Sequence, residues 1–501
     1  MRPVLPGLLL SGLAASVLAA SPRAESTELR AGNQLEVYYD TQVDESVVDD
    51  RLDVDLRYDR FSAGIVFLSH SASNYLKLDQ NKFGPSKQGI RKRWVTASNG
   101  PFEVRAGDSY ATFGSGLVLR IFEDQAVDFD NVIDGARAQV THGALTFEGI
   151  AGTNSYGEAR TVVKGLSGRV EPRPGWLFGL NGAVIDTVSG DAPQPGRDGV
   201  ASVQVDGGLP GGIDLTGEYA VRRYTPERPG RATPADGHAT YLAAHGGIGP
   251  FSFSAEAKDL LRFKHAYTTP PTVARQHAST LLNRGSHVPN IRLDDERGVQ
   301  TEILWTPYSN LLLTGNWSRS EARHATLPAR ETFGQAELDW KGAHLVAYGA
   351  ETEEKVRERA DRVFFERITY GGDALRGLGR DWSLELGLET QGVQEQDLAK
   401  AFYQFPLQYR ESLASITLAK APRHSWAATV EWTDNPNDAS GSRGGKEKDS
   451  WAWFEWTIRL GVAGQISLGA GSLRGGQVCS GGVCKQVDPF EGGRIELLTN
   501  F

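Results

Sequence analysis

The last nine residues, Gly493 to Phe501, divide cleanly into two faces. Ile495, Leu497, Thr499 and Phe501 fall on one side, and Arg494, Glu496 and Asn500 on the other, with Leu498 the exception. Side chains on a strand alternate with period 2, so such a segment separates an apolar surface from a polar one. The same rhythm runs through the chain. Leu52, Val54, Leu56 and Tyr58 alternate with Asp53, Asp55 and Arg57. Trp382, Leu384, Leu386 and Leu388 oppose Asp381, Ser383, Glu385 and Glu389, and Trp426, Ala428, Val430 and Trp432 oppose Thr429 and Glu431. No long apolar run follows residue 20, so no transmembrane helix is expected, and a membrane can be crossed only by strands.

Composition agrees with many tight turns and two-faced strands. Of 501 residues 58 are glycine, and the formal net charge is −9. Mean hydropathy is −0.36. No basic excess points to nucleic acid. The N-terminus reads as a secretory signal over residues 1–19, with Arg2 as the charged start, apolar and small residues from Val4, and a small-residue cleavage site at Val17-Leu18-Ala19. Residues 20–32 are expected as a short periplasmic segment, and 33–501 as the folded unit.

Short and long connections alternate along the chain. Short turns read at Asp59-Arg60, Ser98 to Pro101, His142-Gly143, Pro172 to Gly175 and Lys341-Gly342; Asn99-Gly100 is a strong hairpin signal. Long connections read at Ser71 to Gly89, Leu260 to Glu296, Gln394 to Gln404 and Gly475 to Glu491, and the acidic run Asp44 to Asp50 reads as a further loop. This is the pattern of one large antiparallel transmembrane β-barrel, all-β, with short periplasmic turns and long extracellular loops. The expected count is about 24 strands, an even number. Aromatic residues at the ends of apolar faces, such as Tyr58, Phe102, Trp305 and Trp340, suit interface girdles.

Cys479 and Cys484 flank a glycine turn, and in an exported chain the economical reading is a disulfide. A metal needs more ligands than this pair offers, and no haem motif is present.

Two loops stand out. The first runs from Gly107 through Phe113-Gly114-Ser115-Gly116-Leu117-Val118-Leu119-Arg120 to Gly135. The glycines permit a bend or close backbone approach. Glu123, Asp124, Asp128, Asp130 and Asp134 read either as a cation site or as a solvated or salt-bridged lumen loop; the spacing does not match an EF-hand. The second, Leu260 to Glu296, holds His265, His277, Arg284 and His287, and Leu281-Leu282 gives it something to bury. It reads as a lid or inward constriction, since loops of this length are usually functional or disordered. Its histidines match no metal signature. The Phe-Gly-Ser-Gly-Leu-x-Leu-Arg segment, the acidic stretch after it and the Cys-Ser-Gly-Gly-Val-Cys turn resemble an uncharacterised family of Gram-negative outer-membrane β-barrels. The closing strand, with Ile495, Leu497 and the terminal Phe501, resembles the C-terminal signal of such barrels. The resemblance implies an outer-membrane location and no chemistry.

Residues 20–32 are too few for a plug, so any occlusion of the lumen falls to inward loops. A porin-like channel of unknown solute is the leading expectation. The alternative is a scaffold or surface component of a secretion, motility or electron-conduit complex. No enzyme is expected: Gly114-Ser115-Gly116 lacks the spacing of a nucleophile elbow, and no His-Glu-x-x-His string occurs. No cofactor is expected. Expected partners are outer-membrane lipid, the barrel-assembly machinery during insertion, and proteins meeting the long loops.

Overall fold

Alternation along each strand becomes, across the sheet, a wall with one apolar and one polar side. The computed structural model describes residues 27–72, 86–127, 129–154, 160–188, 196–226, 235–269, 271, 277, 279–283, 295–322, 328–355, 363–395, 407–435, 449–480 and 483–501. The expected signal segment lies outside these residues.

A single sheet of 24 antiparallel strands closes on itself. Its strands are Thr27–Asp40, Glu45–Tyr58, Phe61–Ala72, Ser86–Asn99, Phe102–Ser109, Ile133–His142, Leu145–Asn154, Arg160–Arg173, Trp176–Val188, Gly196–Leu209, Ile213–Pro226 and Ala235–Ile248. They continue with Phe251–Leu261, Glu296–Tyr308, Leu311–Ala322, Ala329–Trp340, Ala343–Lys355, Val363–Gly379, Trp382–Glu395, Leu407–Lys420, His424–Thr433, Ser450–Arg459, Gly464–Leu473 and Phe490–Asn500. Each pairs with its neighbours in sequence. The first also pairs with the last, with Asp40 opposite Gly492 and Gly32 opposite Asn500. Closure leaves no sheet edge, which is the condition for strands to sit in lipid.

One face of this wall carries exposed Leu166, Leu180, Val203, Leu242, Leu386, Leu388 and Ile495. An exposed apolar belt running round a barrel is a surface for lipid. At the short-turn rim it begins with Tyr58, Phe61, Phe102, Phe251, Trp305 and Trp340, all exposed. Phe251 stacks on Trp305 at 5.6 Å, and Trp382 on Trp426 at 5.8 Å. A second aromatic level lies eight residues up the strands: Thr390, eight residues after Trp382, is in a cross-strand row with Tyr370, Ser412 and Trp432. Eight residues rise about 26 Å along a strand, or about 20 Å along the axis at the usual tilt of about 40°, close to the height of an outer-membrane belt.

Two expectations are corrected, and one connection gains detail. The first strand starts at Thr27, so Thr27 to Gly32 belong to the wall and not to a separate segment. The acidic run Asp44 to Asp50 is not a loop: the turn is residues 41–44, and the strand Glu45–Tyr58 follows at once. Neighbouring strands satisfy its carboxylates. Asn33 Nδ2 donates to Asp50 at 2.5 Å, His70 Nδ1 meets Asp49, and Val47 on the same strand is fully buried. Finally, the connection after Leu473 contains its own hairpin, Gly476–Ser480 with Val483–Val487.

The closing strand supplies a test. Leu497 lies on the lipid face, four residues above Phe501 and near the middle of the belt. Leu497→Arg should destabilise the barrel by roughly 2–4 kcal/mol, read from urea unfolding in vesicles by tryptophan fluorescence. Leu498→Arg, on the inner face, should cost far less.

Candidate functional site

The inner wall is polar where it is bare. Arg137 Nε donates to Glu148 at 2.7 Å and its Nη1 to Glu103 at 2.9 Å. Near the seam, Arg494 bridges to Glu455 at 3.1 Å, and Gln34 donates to Glu496 at 3.0 Å. Elsewhere the inner wall is apolar and fully covered. Val163, Ile185, Ala220 and Ala239 are inaccessible to solvent, although they lie opposite the lipid face. What covers them, together with Phe263 and Tyr267 of the second loop, is the loop between Ser109 and Ile133.

That loop folds inward and carries its own small framework. Ala111–Phe113 pairs with Leu119–Ile121, Glu123–Asp124 pairs with Phe129–Asp130, and Gln125–Val127 forms a single 3-10 turn. Phe113, Leu117, Leu119 and Ile121 are buried against Ile150, Val163, Ile185 and Val200. Burying each such side chain contributes roughly 1.5–3 kcal/mol, which opposes the entropy lost in ordering the loop. Gly114 and Gly116 adopt φ of 67° and 94°. A Cβ on Gly114 would lie 2.0 Å from Glu218 Oε1, so only glycine admits the wall this close. Glu218 in turn accepts from the Ser115 backbone N–H at 2.6 Å and from its hydroxyl at 2.5 Å.

A buried cation fastens the other end. Lys92, on the strand Ser86–Asn99, reaches Glu123 at 2.7 Å and Asp130 at 2.9 Å, and donates to Tyr110 Oη at 2.8 Å. Arg51 adds a 3.1 Å bridge to Glu123. Breaking a buried pair of this kind from one side costs roughly 3–5 kcal/mol, because the remaining charges are left in a poor solvent. The acidic residues singled out in the sequence therefore part company. Glu123 and Asp130 converge, and the cation between them is a lysine side chain. Asp124 accepts from the Ala126 N–H at 3.0 Å. Asp134 sits in the strand Ile133–His142, where the period of 2 turns it to the outer face, 3.5 Å from Arg93. Asp128 lies outside the described residues.

The second loop meets the first. The Arg120 N–H donates to Tyr267 O at 3.0 Å, and the Thr269 N–H to Gly116 O at 3.4 Å. His265, buried, has Nε2 3.2 Å from Leu117 O and receives the Tyr267 N–H on Nδ1 at 3.4 Å. This fixes the neutral tautomer with the proton on Nε2. Burial, opposed by that hydrogen bond to Leu117, lowers the pKa of His265 to about 3. Further on, the turn Thr280–Asn283 docks on the far wall. Glu389 accepts from Ser279 Oγ at 2.8 Å and from the N–H groups of Thr280 at 3.0 Å and Leu281 at 2.9 Å. Arg367 donates to Leu282 O at 3.1 Å. His277 stacks on Phe333 at 3.7 Å and contacts Glu331 at 3.0 Å. His265 and His277 thus belong to separate docking points. Arg284 and His287 lie outside the described residues.

Sequence reasoning named the two loops but missed what holds them: Lys92, Glu218, Arg367 and Glu389 on the wall. The available signal was weak. Each is an ordinary polar residue on an inner-face position, and only the register reveals its partner.

A family of unknown function (DUF6029) matches residues 25–185. Among curated proteins none matches the chain. Among solved structures, the chain is similar to the translocation pore of the P pilus usher PapC, with 7% identity, a TM-score of 0.50, and coverage of 94% of this chain and 99% of that one. It is also similar to the ferric citrate transporter FecA in its unliganded form, at 11% identity and TM-score 0.48, covering 96% of this chain and 80% of that one. The siderophore receptor PirA from Pseudomonas aeruginosa gives 8% identity and TM-score 0.47, with 96% and 82% covered. These likenesses are to outer-membrane barrels and concern the fold alone.

His265 makes the docking of the two loops sensitive to acid. A histidine whose docked pKa lies far below its free value near 6.5 takes up a proton on release. Docking is therefore at full strength above pH 6.5 and weakens as pH falls from there toward 3. Hydrogen exchange of residues 263–269 should accelerate relative to the strands over this interval, after correction for intrinsic rates. His265→Asn should flatten the dependence.

Proposed function

We propose that this chain is an outer-membrane channel whose lumen is narrowed by two cooperating loops. In this reading the short turns face the periplasm and the long connections face outward. The observation that carries it is the joint docking of the described residues within 110–132 and 263–283 against the inner wall, through Lys92, Glu218 and Glu389, and against each other through Arg120 and Tyr267. Such a shelf restricts a pore without needing a separate plug. Polar side chains on the remaining wall supply the wet surface that a permeating solute requires.

Planar-bilayer recording tests this. The wild-type protein should show small, discrete conductance steps. Lys92→Ala leaves Glu123 and Asp130 without their shared cation, so it should loosen the first loop and raise the conductance or make it noisy. Deleting residues 264–294 should raise it further. Absence of conductance from all three, each inserted as a heat-modifiable barrel, would refute the channel.

The cysteine pair fits an exported location. Cys479 and Cys484 are directly opposed partners in their hairpin. Opposed residues in an antiparallel pair have Cα atoms about 4.5–5.5 Å apart, within the span of a disulfide. The purified protein should resist alkylation at both positions until reduced, then gain two adducts by intact mass.

A further inference from the structure

On the lipid face, at the long-loop edge of the belt, lies a feature that the lumen does not explain. Lys164, Val184, Gly199 and Arg223 are successive cross-strand partners on four neighbouring strands, so they stand in one row on one face. The next row toward the short turns is Leu166, Gly182, Ala201 and Val221. Leu166, Val184 and Val221 are exposed, which identifies this as the outer surface. The small residues of these rows form the middle of a shallow depression of about 1160 Å³ that spans the outer wall from Val104 to His238. Its floor is open: a Cβ on Gly182 would approach nothing nearer than 3.8 Å, and one on Gly199 nothing nearer than 4.0 Å.

The height of this row is fixed by the same interval used for the aromatic levels. Val184 lies eight residues above Trp176, as Thr390 lies eight above Trp382. The cations are therefore level with Tyr370 and Trp432, where lipid headgroups meet tails. Lys164 and Arg223 are both exposed, and among the described residues neither makes an ion pair or side-chain hydrogen bond. Three strand spacings separate them, roughly 14 Å. Asp236 is the cross-strand neighbour of Arg223 on its far side, and His238, below it, stacks on Tyr219 at 6.4 Å. Between Lys164 and Arg223 the row carries no acidic side chain, and a charged head at this depth calls for an anionic partner.

We infer that this groove binds a phosphorylated lipid of the surrounding leaflet. The phosphate sits between the Lys164 ammonium and the Arg223 guanidinium, which presents its fork of donors to phosphate oxygens. An acyl chain runs down the channel over Gly199, Gly182 and Ala201, between the walls formed by Leu166 and Val221. Between Leu166 and Val221 the floor is glycine and alanine, open enough to seat a hydrocarbon chain. The inference rests on the barrel spanning a membrane and is independent of whether the lumen conducts.

The test uses the full-length protein purified in dodecyl maltoside. Native mass spectrometry with added dioleoyl phosphatidic acid should show one tightly held lipid per barrel. The double variant Lys164→Ala, Arg223→Ala should lose at least tenfold in affinity. Gly199→Leu keeps both cations but fills the floor, and should also lose severalfold. Dioleoylglycerol, which lacks the phosphate, should bind weakly and equally to wild type and double variant. Heat-modifiable gel mobility checks that every variant is folded, and since the substitutions are on the outer surface the barrel should persist. Equal retention of phosphatidic acid by wild type and the folded double variant would overturn the inference, as would equal binding of the two lipids. So would a dimer of the chain that both variants dissolve, since the face would then join two copies.

Discussion

Backbone hydrogen bonding governs this molecule. In hydrocarbon an unpaired N–H or C=O has no water to fall back on, so a strand can enter only with both edges occupied. Pairing of Thr27–Asp40 with both Glu45–Tyr58 and Phe490–Asn500 meets that condition for the whole sheet at once. Everything else follows from closure. Once the wall has an inside and an outside, the period of 2 sends Leu386 and Leu388 to lipid and Glu385 and Glu389 to the lumen. An inner face that is polar by default can then also carry isolated apolar patches, provided something covers them.

The cover is what gives the barrel its individuality. Inside a wide barrel an apolar patch such as Val163, Ile185 and Ala239 would be wetted, and the loop bearing Phe113, Leu117 and Leu119 removes it from water. Hydrophobic burial supplies the attraction, and charge supplies the address. Lys92 accepts only a loop that brings two carboxylates to it, and Glu218 only one whose backbone can come within touching distance at Gly114 and Ser115. The second loop then has a ready surface, because Gly116 and Arg120 present backbone groups to Tyr267 and Thr269. Acid sensitivity at His265 arises from this stacking of one loop on another, since the imidazole is sealed at their junction.

Much of the barrel was legible in the residues. Ile495 and Leu497 against Arg494 and Glu496, or Leu384 to Leu388 against Ser383 and Glu385, disclose strand and facing together, and the alternation of short and long connections discloses closure. Legibility failed at the long-loop ends of strands. There the wall rises beyond the belt, polar neighbours such as Asn33 and His70 take the place of lipid, and residues such as Glu45, Asp49 and Asp50 lose the apolar half of the pattern. They read as a loop and form a strand. The docking loops were legible by their own incongruity: Leu117-Val118-Leu119 and Leu281-Leu282 are too apolar for a solvated connection. Their anchors were not. Lys92 and Glu123, Ser115 and Glu218, or Leu281 and Glu389 lie from tens to more than a hundred positions apart, and only strand register brings them together. Asp134 shows the opposite error: near Asp130 in sequence, it is turned to the other side of the wall by one step of the pleat.

The two loops meet the inner surface from Arg51 and Lys92 round to Ala243 and again from Phe333 to Glu389, while Gln34, Glu36, Glu455, Arg494 and Glu496 share the inner face around the seam. In the proposed channel a solute passing along the seam would meet the carboxylates of Glu36, Glu455 and Glu496 with the Arg494 guanidinium among them, so the strand pairing that seals the cylinder against lipid would also help to sort what passes by charge.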